Sequence, residues 1–141
     1  MARTLQEFRT HLETKDLVEG SVEQGVKDYI KIGKWHIDNH RQFKDLYKRQ
    51  KNDYTYTQGP KYIKVFNTEM GQKRSIAAFI DKSTGDILKP ASYNAPAKGA
   101  RGNVLDKQYM SDLKRFFDTH GGHLYSRHSL AYMTKQRKIF T

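Results

Sequence analysis

A chain of 141 residues with 26 Lys and Arg against 15 Asp and Glu, and hence a formal net charge of +11, has room for one domain or for one domain with a tail. The absence of Cys excludes disulfides, thiolate metal sites and a cysteine nucleophile. Hydrophobic residues make up 36% and aromatics 12%, so a small core is expected beneath a surface of charges and ring edges.

No apolar run approaches the roughly 18 residues of a membrane span. The opening MARTLQEFRTHLE reads as an amphipathic helix rather than a secretory signal, so a soluble, intracellular protein with no membrane partner is expected. The charge is unevenly spread. Residues 1–20 hold three bases and four acids, whereas residues 121–141 hold Arg127, Lys135, Arg137 and Lys138 with no acid. So basic a chain implies acidic partners, with nucleic acid first.

Leu5, Phe8 and Leu12 recur at helical spacing and predict a short first helix ending near Gly20. Ser21-Val22-Glu23-Gln24 has the form of a capping box and opens a helical segment that reaches about Lys51 without proline. Val22, Val26, Ile30 and Ile37 form one stripe on it. Tyr29, Ile32, His36, His40, Phe43 and Tyr47 form a second, so a broad face is buried. Trp35 falls on the opposite side and is expected to be exposed, a candidate partner contact. Gly25 and Gly33 weaken the helix and predict a break.

Residues 52–59 (NDYTYTQG) read as a polar, turn-rich connection. Beyond them the period becomes two. Strands are predicted at 61–66, with Ile63 and Val65 opposite Tyr62, Lys64 and Phe66, and at 73–80, with Ile76, Ala78 and Ile80 opposite Phe79. Turns at Gly71 and at Asp81–Asp86 separate them from each other and from a third strand beginning at Ile87. Residues 91–102, rich in Pro, Ala and Gly, read as a long loop. Asn103 is expected to cap a helix over 103–119, and residues 121–141 a basic, partly docked tail. The expected architecture is a single α+β domain over 1–120: helical at 1–52, a three-stranded antiparallel meander at about 60–90, and the last helix.

Three constellations bear on function. Lys98-Gly99-Ala100-Arg101-Gly102 before a helix start combines turned backbone N–H groups, a helix dipole and two full charges, which suits a phosphate. Tyr62, Phe66 and Phe79 with Lys64 offer stacking surfaces for unpaired bases, unless helices cover that face. Further phosphate contacts are expected from Lys61, Lys73, Arg74, Lys89 and the basic tail. Third, His36 and His40 stand four apart, and His120, His123 and His128 cluster later. HEXXH is absent, and buried or capping roles explain these histidines better than a metal site. Neither a catalytic residue set nor a cofactor motif is found. A weaker alternative takes Asp81, Asp86 and a histidine for a metal-dependent phosphodiesterase.

The stretch Lys61 to Val104, above all Phe79 to Lys98 (FIDKSTGDILKPASYNAPAK) with Arg101-Gly102-Asn103, resembles small proteins of unassigned function encoded by tailed bacteriophages. The resemblance implies action in an infected bacterial cytoplasm or in a virion, and it brings with it no activity and no catalytic residues. The leading expectation is a non-catalytic protein that binds DNA or RNA; the alternative is a virion structural protein or one that meets an acidic host protein.

Overall fold

The computed structural model describes residues 15–125, as a five-stranded antiparallel sheet with helices packed on one face. In chain order the elements are α1 (Lys15–Asp38), α2 (Lys44–Gln50), β1 (Asp53–Gln58), β2 (Tyr62–Glu69), β3 (Gln72–Asp81), β4 (Asp86–Pro90), β5 (Pro96–Asn103), α3 (Lys107–Phe116) and a 3-10 turn at Gly122–Leu124. The sheet order is β1-β2-β3-β4-β5, so every strand pairs with its neighbour in sequence. The α+β class and the central meander are as expected. The first-helix stripe around Leu5 and most of the basic tail lie outside the described residues.

Helix α1 runs unbroken through Gly20 and Ser21, where a boundary was expected. Val22, Val26, Tyr29, Ile32 and Ile37 line its buried face. Nor do the two later glycines break it. A Cβ on Gly25 would lie 2.7 Å from Cβ of Val104, and one on Gly33 would lie 2.6 Å from the Tyr54 ring. Glycine costs about 1 kcal/mol of helix propensity here, and in return the helix approaches the sheet closely enough to seal the core. The break comes at Asn39–Phe43 instead. Asn39 Nδ2 donates to the carbonyl of Trp35 at 2.8 Å, and His40 Nδ1 accepts the backbone N–H groups of Gln42 and Phe43 at 3.1 and 3.0 Å. The Trp35 carbonyl also accepts the Asn39 N–H at 3.0 Å and the His40 carbonyl the Lys44 N–H at 3.3 Å, so side-chain and backbone bonds together satisfy the helix ends.

Two strands were unforeseen. Residues 53–58, expected as a turn, form β1, whose Tyr54, Thr55, Tyr56 and Thr57 are good pleated-sheet residues and pair with Asn67 to Lys64. Residues 96–103, expected as a loop, form β5, an edge strand that pairs only with β4. Pro and Gly are tolerated at an edge because half the backbone groups need no ladder partner. Strands β2 and β3 meet through Met70 and Gly71, both at positive φ (54° and 78°), the geometry of a tight hairpin turn.

The register sets the two faces. Ile63 pairs with Ile80, Val65 with Ala78, and Ile80 with Ile87, and all five belong to the core beneath α1 and α3. Lys64 pairs with Phe79, and Phe79 with Leu88, on the reverse face. A β-bulge between Val65 and Phe66 leaves Ala77 without a partner, so Ile76 pairs with Phe66 and joins the reverse face instead of lying with Ala78 and Ile80 as alternation predicted.

The last helix begins later than expected, at Lys107. Its cap is Asp106, whose carboxylate accepts the N–H of Tyr109 at 3.0 Å. Asn103 serves the β-turn side instead: Nδ2 donates to the carbonyl of Thr84 and to Asp86, both at 2.9 Å, and Oδ1 accepts the N–H of Leu105 at 2.7 Å.

Candidate nucleic-acid interface

The glycine-loop phosphate site does not form. Gly99, Arg101 and Gly102 are strand residues of β5, and the nearest helix N-terminus is capped by the carboxylate of Asp106, which already occupies the positive end of the helix dipole. Gly102 is buried because the Tyr109 ring lies where its Cβ would be. Arg101 is engaged internally: Nη1 donates to the carbonyl of Leu124 at 3.0 Å, and its guanidinium lies 6.0 Å from the Tyr125 ring. Lys98 is exposed and Lys89 lies 4.6 Å from the same Tyr125 ring. Arg74 pairs with Glu69 at 3.9 Å. Arg127, Lys135, Arg137 and Lys138, like His128, lie outside the described residues.

The reverse face of the sheet does gather the other predicted residues. Tyr62 and Phe79 meet edge to face with ring centres 5.8 Å apart, and Phe66 lies 6.1 Å from Tyr93. Phe66 and Phe79 are buried, at 3% and 0% exposure, so these rings cannot receive a base as expected. They form the floor of the face. Its surface is Tyr62, half-buried, and Tyr93, 59% exposed. Tyr93 was not among the expected site residues. It sits in the Ala91–Ala95 turn joining β4 to β5, and that turn reaches β2, two strands away, where Lys64 Nζ donates to the Tyr93 carbonyl at 3.1 Å.

Cations lie over these rings. Lys61 Nζ is 5.3 Å from the Tyr62 ring centre, Lys64 Nζ is 5.0 Å from Tyr93 and 5.8 Å from Phe79, and Lys73 Nζ is 4.9 Å from Phe66. Such contacts orient an ammonium without neutralising it. None of the three has a carboxylate within 4.0 Å among the described residues. Nearby acids are committed elsewhere: Glu69, the closest in sequence to Lys64 and Lys73, pairs with Arg74, Asp81 Oδ1 accepts from the backbone and hydroxyl of Ser83, at 2.8 and 2.6 Å, and Asp86 accepts from Asn103.

Those bonds also bear on the phosphodiesterase alternative, since they hold Asp81 and Asp86 in the turn, and among the described residues no histidine is hydrogen-bonded to either. Among the described residues, no three His, Asp or Glu side chains converge as a metal-binding set. Three of the described histidines hold the fold. His36 Nε2 meets the Lys114 carbonyl at 2.8 Å, His40 caps the start of α2, and His123 is buried against Tyr29. Trp35 is 59% exposed, as its position on the helix predicted. No helix among the described residues is long and apolar enough to cross a membrane.

These features define a small α+β protein with helices on one sheet face and a lysine-and-tyrosine surface on the other. The chain belongs to the family of unknown function DUF7717, whose model matches residues 5–126. Neither a curated protein nor a solved structure matches it.

Proposed function

We propose that this protein is a non-catalytic nucleic-acid-binding protein whose reverse sheet face, free of helices among the described residues, takes single-stranded DNA or RNA. The observation that carries the reading is the set of three lysines, Lys61, Lys64 and Lys73, held over aromatic rings with no carboxylate partner among the described residues. Lysines so placed attract phosphates, while Tyr62 and Tyr93 offer ring surface for unstacked bases, a sequence-tolerant mode of binding. A single strand suits this face better than a duplex, whose bases are already stacked on one another. The likeness of residues 61–104 to tailed-phage proteins supports placing this activity in an infected bacterial cytoplasm or in a virion.

The test is fluorescence anisotropy with labelled oligo-dT and oligo-U, and with a duplex of equal length, across a salt series. Three phosphate contacts to a single strand predict a slope of log K against log salt of about −2. Absence of binding at about 50 mM salt, where such contacts are strongest, overturns the reading.

A further inference from the structure

Away from the sheet face, α1 and α3 leave a groove between them. Asp28, Lys31, Ile32 and Trp35 stand three and four apart along α1, and Lys107, Met110, Ser111 and Lys114 do the same along α3, so each helix presents a single row. The rows enclose a cavity of about 480 Å³ floored by Ile32, Met110 and Val104. It continues into a second, of about 320 Å³, that ends at Trp35, with Lys31, Ile32 and Lys114 lining both. Trp35 is held in place at that end. Its ring meets His36 edge-on at 5.0 Å, and His36 in turn stacks on Phe117 at 5.5 Å and is fixed by the Lys114 carbonyl.

The charge on the rim is one-sided. Lys31, Lys107 and Lys114 have no carboxylate within 4.0 Å among the described residues. The single acid of the groove, Asp28, accepts from Gln24 at 3.0 Å. We infer that this groove is a docking site for an acidic, amphipathic peptide segment of a partner protein. The segment's aliphatic or aromatic anchors fill the channel between Met110 and Trp35, and its carboxylates pair with the three lysines. Helix-in-groove recognition has this pattern of anchors at i, i+3 and i+7. Charge decides against a second copy of this chain, because its net charge of +11 would bring like charges together. The aliphatic floor decides against nucleic acid, which is held by flat rings and lacks the anchors that would fill such a channel.

Trp35 is the sole tryptophan of the chain, so its emission reports on this site directly. The probe is a synthetic peptide of about 14 residues with Leu or Phe at i, i+3 and i+7 and Glu at most other positions. A control peptide replaces the anchors with Ser at the same charge, and oligo-dT is the third arm. The expected result is a saturable blue shift with the anchored peptide and binding at least ~10-fold weaker with the Ser peptide. Lys31→Glu with Lys114→Glu should weaken the anchored peptide by a further ~10-fold or more, whereas Lys64→Ala should leave it unchanged. Both substituted residues on the groove are exposed, and circular dichroism verifies that the double variant is folded. No saturable shift, or equal affinity for the two peptides, overturns the inference. So does oligo-dT saturating the Trp35 signal and losing it on Lys31→Glu. Failure of oligo-dT binding at the sheet face, by contrast, leaves the peptide arms unaffected.

Discussion

Tyr29 and His123, ninety-four residues apart in the chain, meet in the core with the phenol oxygen 2.7 Å from Nε2. His123 is 3% exposed and stacks on Phe117 at 4.1 Å. On its other side Nδ1 lies 3.1 Å from the Asp118 carbonyl and 3.2 Å from the Asp118 N–H. One ring nitrogen donates and the other accepts, so the neutral imidazole satisfies both neighbours in either tautomer. Burial disfavours the charged form of each partner: it pushes the Tyr29 phenol up and lowers His123 from 6.5 to about 4.

This depression sets the first prediction. Unfolded His123 takes up a proton near pH 6.5, but the folded protein resists doing so until about pH 4, so the unfolded state binds more protons across that window. The stability that the neutral ring supports is therefore complete above pH 6.5 and lost as pH falls towards 4. Linkage gives a loss of about 2 kcal/mol between pH 7 and pH 5. Urea unfolding at the two values measures it, and His123→Gln, which cannot titrate, should remove most of that difference. An unchanged pH dependence in the variant refutes the assignment.

Gly33→Ala and Gly102→Ala should both destabilise the fold, by about 1–3 kcal/mol each through overpacking. At an exposed helix site Gly→Ala gains about 1 kcal/mol of propensity. At Gly33 the new methyl would collide with the Tyr54 and Phe117 rings, and at Gly102 with Tyr109. A thermal melt with Tm raised by Gly33→Ala would show that the helix can back away from the sheet.

Asp106→Ala removes the acceptor for the Tyr109 N–H and should cost about 1 kcal/mol, while Asp106→Asn, which keeps an acceptor oxygen, should cost much less. Chemical denaturation of the pair separates the cap from general effects of charge. Equal losses in the two variants argue that charge, not the hydrogen bond, matters at this helix start.

On the sheet face, Lys64→Ala and Lys73→Ala should each flatten the salt dependence of oligo-dT binding by about 0.7. Tyr93→Ala should weaken binding by about 1–3 kcal/mol through lost stacking. Lys31→Ala, on the helix side, serves as the control and should change nothing. Uniform effects of all four substitutions point to diffuse attraction by net charge instead of a defined surface.

How far the sequence foretold this arrangement depends on whether a signal was local. Period-two alternation from Tyr62 to Phe66 correctly separated Ile63 and Val65 from Tyr62 and Lys64 onto opposite faces, because pleating alone decides it. Tyr54 to Thr57 carried the same alternation, but flanking Asn, Asp, Gln and Gly disguised it as a turn. Strand β5 had no such pattern to find: Gly102 is there to admit the Tyr109 ring, a requirement imposed by a helical residue seven positions further on. The bulge at Ala77 and the reach of Tyr93 to Lys64 are likewise tertiary, so neither the displacement of Ile76 nor the recruitment of Tyr93 to the face could be seen in the chain. The glycine-loop site failed for a related reason. Its residues were adjacent in sequence, but pairing with β4 drew them into a strand before the helix could begin.

The strictly sequential strand order also governs how the molecule comes together. All four strand pairings join neighbours, so the sheet requires only short loop closures and can assemble from local contacts. The costly closure is the one that brings α1 to the segment around His123 across most of the described chain. The longest loop closure therefore lies in the docking of α1 against the segment around His123, not in the pairing of the strands.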